Sequence, residues 1–295
     1  MGWQPQQGGL APYRRTVTSQ DGEDGIIERI FARVPPLSRL CVEFGAWDGK
    51  HVSNVWNLWA NEGWSAVLIE ADRAKHRELV AATADHPNVT ALCGYVTAEG
   101  DGRLDALLAG AATARPVDLL SIDIDGNEYD VWQAVSDYRA RAVIVEHNPT
   151  IPPHIEFVSH GANYVGSSAR ALVELGKALG YELVACTMTN CIFVSADLYP
   201  ALEIERNDLA DLFDCRLLTW AMSSYNGELF LSRTPTYLDP RRVPRGLHRS
   251  RPWALRRIAG LAGRVWRSRL GHSFGRSAER LKGPFPELLF VLSDD

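Results

Sequence analysis

The sequence predicts an α/β protein built on an open, doubly wound sheet, mostly parallel and finished by an antiparallel terminal hairpin. Three observations carry this. Strand-length apolar runs alternate with helix-patterned segments through most of the first 200 residues. The connections between them are short, and several of the strands are continuous apolar runs rather than in–out alternations. A sheet covered by helices on both faces has these properties.

The elements follow in order. Residues 1–18, rich in Gln, Gly and Pro, read as a flexible lead-in. In SQDGEDGIIERIFARV, Ile26, Ile27, Ile30 and Phe31 recur at helical spacing behind an acidic first turn. LSRLCVEF is a strand, and GAWDG after it is a glycine-containing turn. HVSNVWNLWANEG is a helix that Gly63 closes. SAVLIEAD (65–72) is a buried strand, AKHRELVAATADH a helix, NVTALCGYVTA a strand and DGRLDALLAGAA a helix. DLLSIDID (118–125) is a strand, EYDVWQAVSDY a helix, and AVIVEHNP (142–149) a strand that Pro149 ends. Residues 151–168 form an irregular loop, a candidate lid or substrate wall. ARALVELGKALG is a helix ending at Gly180. YELVACTMTNCIFVSADLY reads as two strands about a Thr-Asn turn, and FPELLFVLSDD at the end as a strand or packing segment. Residues 201–240 carry no clear pattern.

Five cysteines show no paired metal spacing, and Cys41, Cys93 and Cys186 lie in apolar runs, as buried reduced thiols do. With neither a basic-then-apolar leader nor a membrane-length apolar run, a cytoplasmic protein is expected. Charge is uneven. Residues 241–282 hold 13 Lys/Arg against the single acid Glu279, which leaves 18 basic and 35 acidic residues elsewhere from totals of 31 and 36. An acidic domain over 19–240 and a basic appendage over 241–295 are therefore expected. Within 252–270 a basic amphipathic helix carrying tryptophans suits an anionic membrane surface, the acidic body or a second subunit. Nucleic acid is disfavoured, since no nucleic-acid motif accompanies the charge.

In open α/β sheets ligands sit beyond the carboxyl ends of the strands. Here those ends carry Glu43, then Glu70 and Asp72, then Asp123 and Asp125, then Glu146 with His147 and Asn148. Gly45 and Gly49 open a turn onto a helix, where bare backbone and free N–H groups can meet a ligand carboxylate. Glu70 follows that turn by about 20 to 30 residues, the interval at which an acid binds a ribose diol. Asp123, Asp125, Glu146 and His147 are candidate ligands for a divalent ion such as Mg2+, although Asp125 also reads as a helix cap. His147 is further a candidate general base, with His154 and His160 behind it.

These residues resemble class I S-adenosylmethionine-dependent methyltransferases, specifically the FkbM-like family, over roughly residues 18 to 198. SQDGEDGIIERIF resembles the entry helix, VEFGAWDGKHVSN the cofactor motif, VLIEAD the acidic ribose motif and DLLSIDIDGNEYDVW the fourth-strand motif. The resemblance implies a Rossmann-like seven-stranded sheet whose last strand is antiparallel. It implies Glu43, Gly45, Ala46 and Gly49 around the methionine part of the cofactor, Glu70 on its ribose, and Gly94 and Tyr95 near its adenine. Its metal-dependent relatives imply an ion held at Asp123 and Glu146, with His147 where an acid or amide is commoner. Two positions depart from the pattern: Trp47 replaces a glycine, and Asp125 a glutamate. The expected activity is O-methylation of a sugar, glycolipid or polyketide-like hydroxyl, with Asp123 and His147 as catalytic residues. The rivals are a nicotinamide-dependent oxidoreductase, disfavoured by the G-x-x-x-G turn, and a catalytically silent binding module of the same fold.

Overall fold

The computed structural model describes residues 8–111, 113, 116–124, 126–161, 165–218, 221–223, 225, 229–231 and 290–292. The chain divides at Arg216/Leu217 into two compact units. That division precedes the one read from charge at residue 240, because β8 (Ala221–Ser223) and β9 (Leu229–Leu231) join β10 (Phe290–Leu292) in a three-stranded antiparallel sheet. The amphipathic stretch 252–270 and the basic run 241–282 lie outside the described residues. Among those that are described, no helix is long and apolar enough to cross a membrane.

The larger unit is a seven-stranded sheet in the order β3-β2-β1-β4-β5-β7-β6. β1 (Leu40–Phe44), β2 (Ser65–Glu70), β3 (Val89–Cys93), β4 (Leu119–Ile122) and β5 (Ala142–Glu146) are parallel. β7 (Asn190–Ser195) runs antiparallel between β5 and β6 (Tyr181–Cys186). The chain winds outward in both directions from β1 and β4, so the switch point at which such sheets bind ligands lies between these two strands. β1 is buried along its whole length, whereas edge strand β3 is only partly covered. Cys93 is accordingly exposed, contrary to the buried thiol expected from its apolar run, while Cys41, Cys186 and Cys191 are buried.

The helices are α1 (Glu23–Arg33), α2 (Trp56–Asn61), α3 (Arg73–Ala82), α4 (Leu104–Gly110), α5 (Glu128–Ala134), α6 (Ala169–Ala178) and α7 (Leu209–Leu212). Two of them, α3 and α6, begin at a side-chain cap. Asp72 caps α3 by accepting from the N–H groups of Ala74 and Lys75, and Ser168 caps α6 through Ala171. One apolar cluster gathers Ile26, Ile27 and Ile30 of α1, Leu58 and Trp59 of α2, and Leu68, Leu119 and Ile144 of the sheet. The lead-in is also fastened from residue 8 onward. Leu10 is buried, its N–H donates to Val184 O at 2.8 Å, and Arg14 Nη2 donates to Cys186 O. Burial of Leu10, main-chain bonds and Arg14 together hold a segment whose composition reads as loose.

Three aspartates hold loops in place, one on α1, one on α4 and one just before β4. Asp24 Oδ2 accepts from the N–H groups of Val17, Thr18 and Ser19, and Asp105 accepts from those of Ser136, Asp137 and Tyr138. Asp118, fully buried just before β4, accepts from Leu37, Ser38 and Arg39 N–H and from Ser38 Oγ. Asp118→Asn turns an amide NH2 toward these donors and strands at least one N–H. It is expected to cost roughly 2 kcal/mol, read from the urea midpoint.

Candidate active site at the carboxyl edge of the sheet

Strand pairing decides which side chains share a face. Glu43 is paired with Leu68 and Ser121, and Ser121 with Ile144. Side chains two residues apart on a strand point the same way. Continuing each register by two residues therefore sets Glu70, Asp123 and Glu146 on the face that Glu43 occupies. His147 falls on the other face, with Val145 and its partner Cys191. Four carboxylate residues thus share one face of the sheet's carboxyl edge, two on each side of the β1/β4 switch point.

The acids differ in environment. Glu43 is buried, and its carboxylate accepts from Ser53 Oγ at 2.5 Å and Asn54 N–H at 3.0 Å. Asn54 Nδ2 in turn donates to Ser121 Oγ. Burial pushes the Glu43 carboxyl up to about 7, the contacts to Ser53 and Asn54 pull it down, and the Asp123 charge adds to the rise. Glu43 thereby fastens the segment entering α2. Ser53, Asn54 and Ser121 were not singled out by the sequence, although small polar residues at a predicted helix start are the natural partners of such an acid.

Glu70 closes the turn after β1. Its Oε2 accepts from Trp47 N–H at 2.9 Å and its Oε1 from Asp72 N–H at 2.8 Å. A carboxylate offers about four acceptor positions, so each oxygen keeps one for a ligand hydroxyl. Gly45, at φ +79°, approaches β4 so closely that a Cβ there would stand 2.0 Å from Asp123 O. Ala46 is buried behind the turn, and both Gly45 and Ala46 N–H donate to Ile69 O. Gly49 N–H closes the turn onto Ala46 O at 2.7 Å. Trp47 is 41 % exposed at the rim, with Lys75 Nζ 4.6 Å from its ring centroid. Gly94 N–H donates to Glu70 O, and Tyr95 beyond it is 57 % exposed. The N–H groups of Gly45, Ala46, Trp47 and Gly49 are all used within the protein, contrary to the free donors expected of this turn; what suits a nucleoside here is a carboxylate with spare acceptor capacity near an exposed aromatic ring.

The set Asp123, Glu146 and His147 is not assembled. Asp123 and Glu146 are half-buried on the acid face. His147, 1 % exposed, faces the hairpin: Nε2 lies 3.5 Å from Cys186 Sγ, and its ring packs on Phe213 at 5.6 Å. Strand alternation is the reason, since residues 146 and 147 are adjacent and must part. Among the described residues, His147, Cys186 and Cys191 are the group of His, Cys, Asp and Glu close enough to share an ion. Burial draws the His147 imidazole down, but the Cys186 thiol beside it and main-chain contacts win and raise it. The hydrogen bond with Cys191 holds the Cys186 thiol below its ordinary range, and His147 adds to this.

Of the remaining expectations, His160 Nδ1 lies 2.7 Å from Asp130 Oδ1, and His154 is exposed. Asp125 lies outside the described residues; Asn127 is the residue at the α5 N-cap position.

No family model and no curated protein matches the chain. Similar solved structures include the CcbJ methyltransferase from Streptomyces caelestis, at 12 % identity and a TM-score of 0.40, covering 62 % of this chain and 99 % of that one. An S-adenosylmethionine-dependent methyltransferase from Clostridium acetobutylicum is 10 % identical with a TM-score of 0.39, covering 59 % and 90 %. The N-terminal domain of EvdMO1, solved with S-adenosylhomocysteine bound, is 14 % identical with a TM-score of 0.40, covering 60 % and 80 %. The fold class itself stands on the strand order: an α/β sheet, mostly parallel, with one antiparallel strand inserted between β5 and β6.

Proposed function

We propose that this chain is an S-adenosylmethionine-dependent O-methyltransferase acting on a hydroxyl of a sugar, glycolipid or polyketide-like product. The observation that carries the reading is the shared face: Glu43, Glu70, Asp123 and Glu146 at adjacent strand ends around the switch point, beside a glycine turn. Glu70 would hold the ribose hydroxyls with its spare acceptor positions, and Tyr95 would stack on the adenine. The Gly45–Gly49 turn would meet the methionine part, with Glu43 bracing the turn from inside through Ser53 and Asn54. The cofactor supplies an activated methyl group on sulfur.

What remains for the protein is to hold an acceptor oxygen in line and receive its proton. Asp123 is the base we assign, being half-buried on the acid face beside Gly45. His147 is set aside from that role because it is enclosed on the opposite face. For the same reason, a divalent ion held by all of Asp123, Glu146 and His147 is not part of the proposal. Ile155, Phe157 and Val165, exposed on the segments following β5, offer an apolar wall for the acceptor's body.

Calorimetry with the full chain provides the test. S-adenosylhomocysteine should bind and NAD should not. Glu70→Ala should weaken that binding roughly tenfold to a hundredfold, the worth of hydrogen bonds to a charged group. Unchanged affinity would remove the ribose assignment. Asp123→Asn should leave cofactor affinity intact and lower turnover at least about a hundredfold.

A further inference from the structure

We propose that His147, Cys186 and Cys191 form a structural site for a zinc-class ion, on the face of the sheet opposite the acids. Register brings the three together. Cys186 and Cys191 are directly opposed across the β6–β7 hairpin, and Cys191 is paired on its other side with Val145, two residues before His147. All three side chains consequently project from one face at one end of the sheet.

The spacing fits a tetrahedral ion. Bonds of about 2.3 Å to sulfur and about 2.0 Å to nitrogen set ligand–ligand edges of about 3.8 Å between sulfurs and about 3.5 Å from sulfur to nitrogen. Here Sγ of Cys186 lies 3.9 Å from Sγ of Cys191 and 3.5 Å from Nε2 of His147. All three donor atoms lie within 4.8 Å of one another. Two thiolates and an imidazole select a soft or borderline ion over magnesium.

The surroundings also suit a ligand. All three residues are buried, and main-chain groups of Asn148 and Thr187 lie against the His147 ring, as the outer contacts of a ligating histidine do. The ring's Nε2 is directed at the thiols. The framework around the donors is already fixed: His147 N–H donates to Thr189 O at 2.7 Å, and Glu23 of α1 accepts from Thr187 Oγ1 and Asn190 Nδ2. Little ordering would be left for the ion to impose. Binding would release one proton from each thiol and join both sulfurs and Nε2 to the metal. The site would pin the end of β5 to the hairpin turn and take no part in methyl transfer.

The full chain, purified without chelator under a phosphine reductant, should carry about one zinc per chain. After stripping, titration with cobalt(II) should give thiolate-to-metal charge-transfer absorption and the visible bands of a tetrahedral ion. Cys186→Ser with Cys191→Ser should lower metal content at least tenfold and abolish those bands. His147→Ala, which leaves both thiolates in place, should weaken cobalt binding at least tenfold and shift the visible bands. It locates the site if the double variant does not fold. A stripped wild type that gives no thiolate–cobalt band overturns the proposal. So does a band unchanged in the variants, or a Cys186–Cys191 disulfide in protein kept from air.

Discussion

Gly45→Ala is expected to be the most damaging single change in the sheet, costing about 3 kcal/mol or more. Two penalties add. The left-handed backbone at φ +79° strains any side chain by about 1 kcal/mol. The new Cβ would stand 2.0 Å from Asp123 O, a backbone atom that cannot swing aside, and relieving such overlap typically costs another 1–3 kcal/mol, here about the upper figure. Gly63→Ala is the control. Its φ is +71°, but nothing lies within 4 Å of the added carbon, so only the backbone penalty of about 1 kcal/mol applies. Urea unfolding of both variants checks the contrast. Equal losses would mean that the β1/β4 approach is looser than described. The first variant should also lose cofactor affinity, because separating these two strand ends distorts the turn between them.

The second large effect depends on pH. Glu43 has its carboxyl raised to about 7 by burial, against about 4.5 in the unfolded chain. Between those values the folded chain holds a proton that the unfolded chain has released. Stability from this group is therefore full below about 4.5 and is lost as pH rises through 7, by roughly 3 kcal/mol in total. Glu43→Gln keeps an acceptor toward Ser53 and Asn54 but cannot ionise. Relative to wild type, it should be near neutral in stability at pH 5 and more stable by up to roughly 3 kcal/mol at pH 8.5. Melting both proteins across that range isolates the group, since every other carboxylate is common to both. A difference that does not vary with pH would show that Glu43 does not titrate as its burial demands.

Most of the fold was legible because strand and helix periodicities are local. The seven strands, the hairpin at Tyr181–Ser195 and the helix after each of β1 to β4 follow from residue spacing alone. The strand ends were legible too, and with them the acids. What the spacing could not supply was face and order. His147 was grouped with Glu146 because the two are neighbours, yet neighbours on a strand diverge. Cys93 read as buried because nothing local marks β3 as the edge. The hairpin, however, contained an unused signal: cysteines flanking the four-residue turn 187–190 must oppose one another. Glu43 was legible as an acid at a strand end, but its closure by Ser53 and Asn54 depends on how the next segment folds back.

Pairing on both sides of β7 gives the last strand ends an uncommon intolerance. From Val143 to His147, each step of one residue alternates between a carboxylate-bearing surface and a sulfur-bearing one, and the two are separated by a single peptide's thickness. Deleting or inserting one residue there would exchange the two chemistries wholesale, putting an imidazole among the acids and a carboxylate against thiols. A change of one residue in this stretch needs a bulge to absorb it, as β6 has between Leu183 and Ala185.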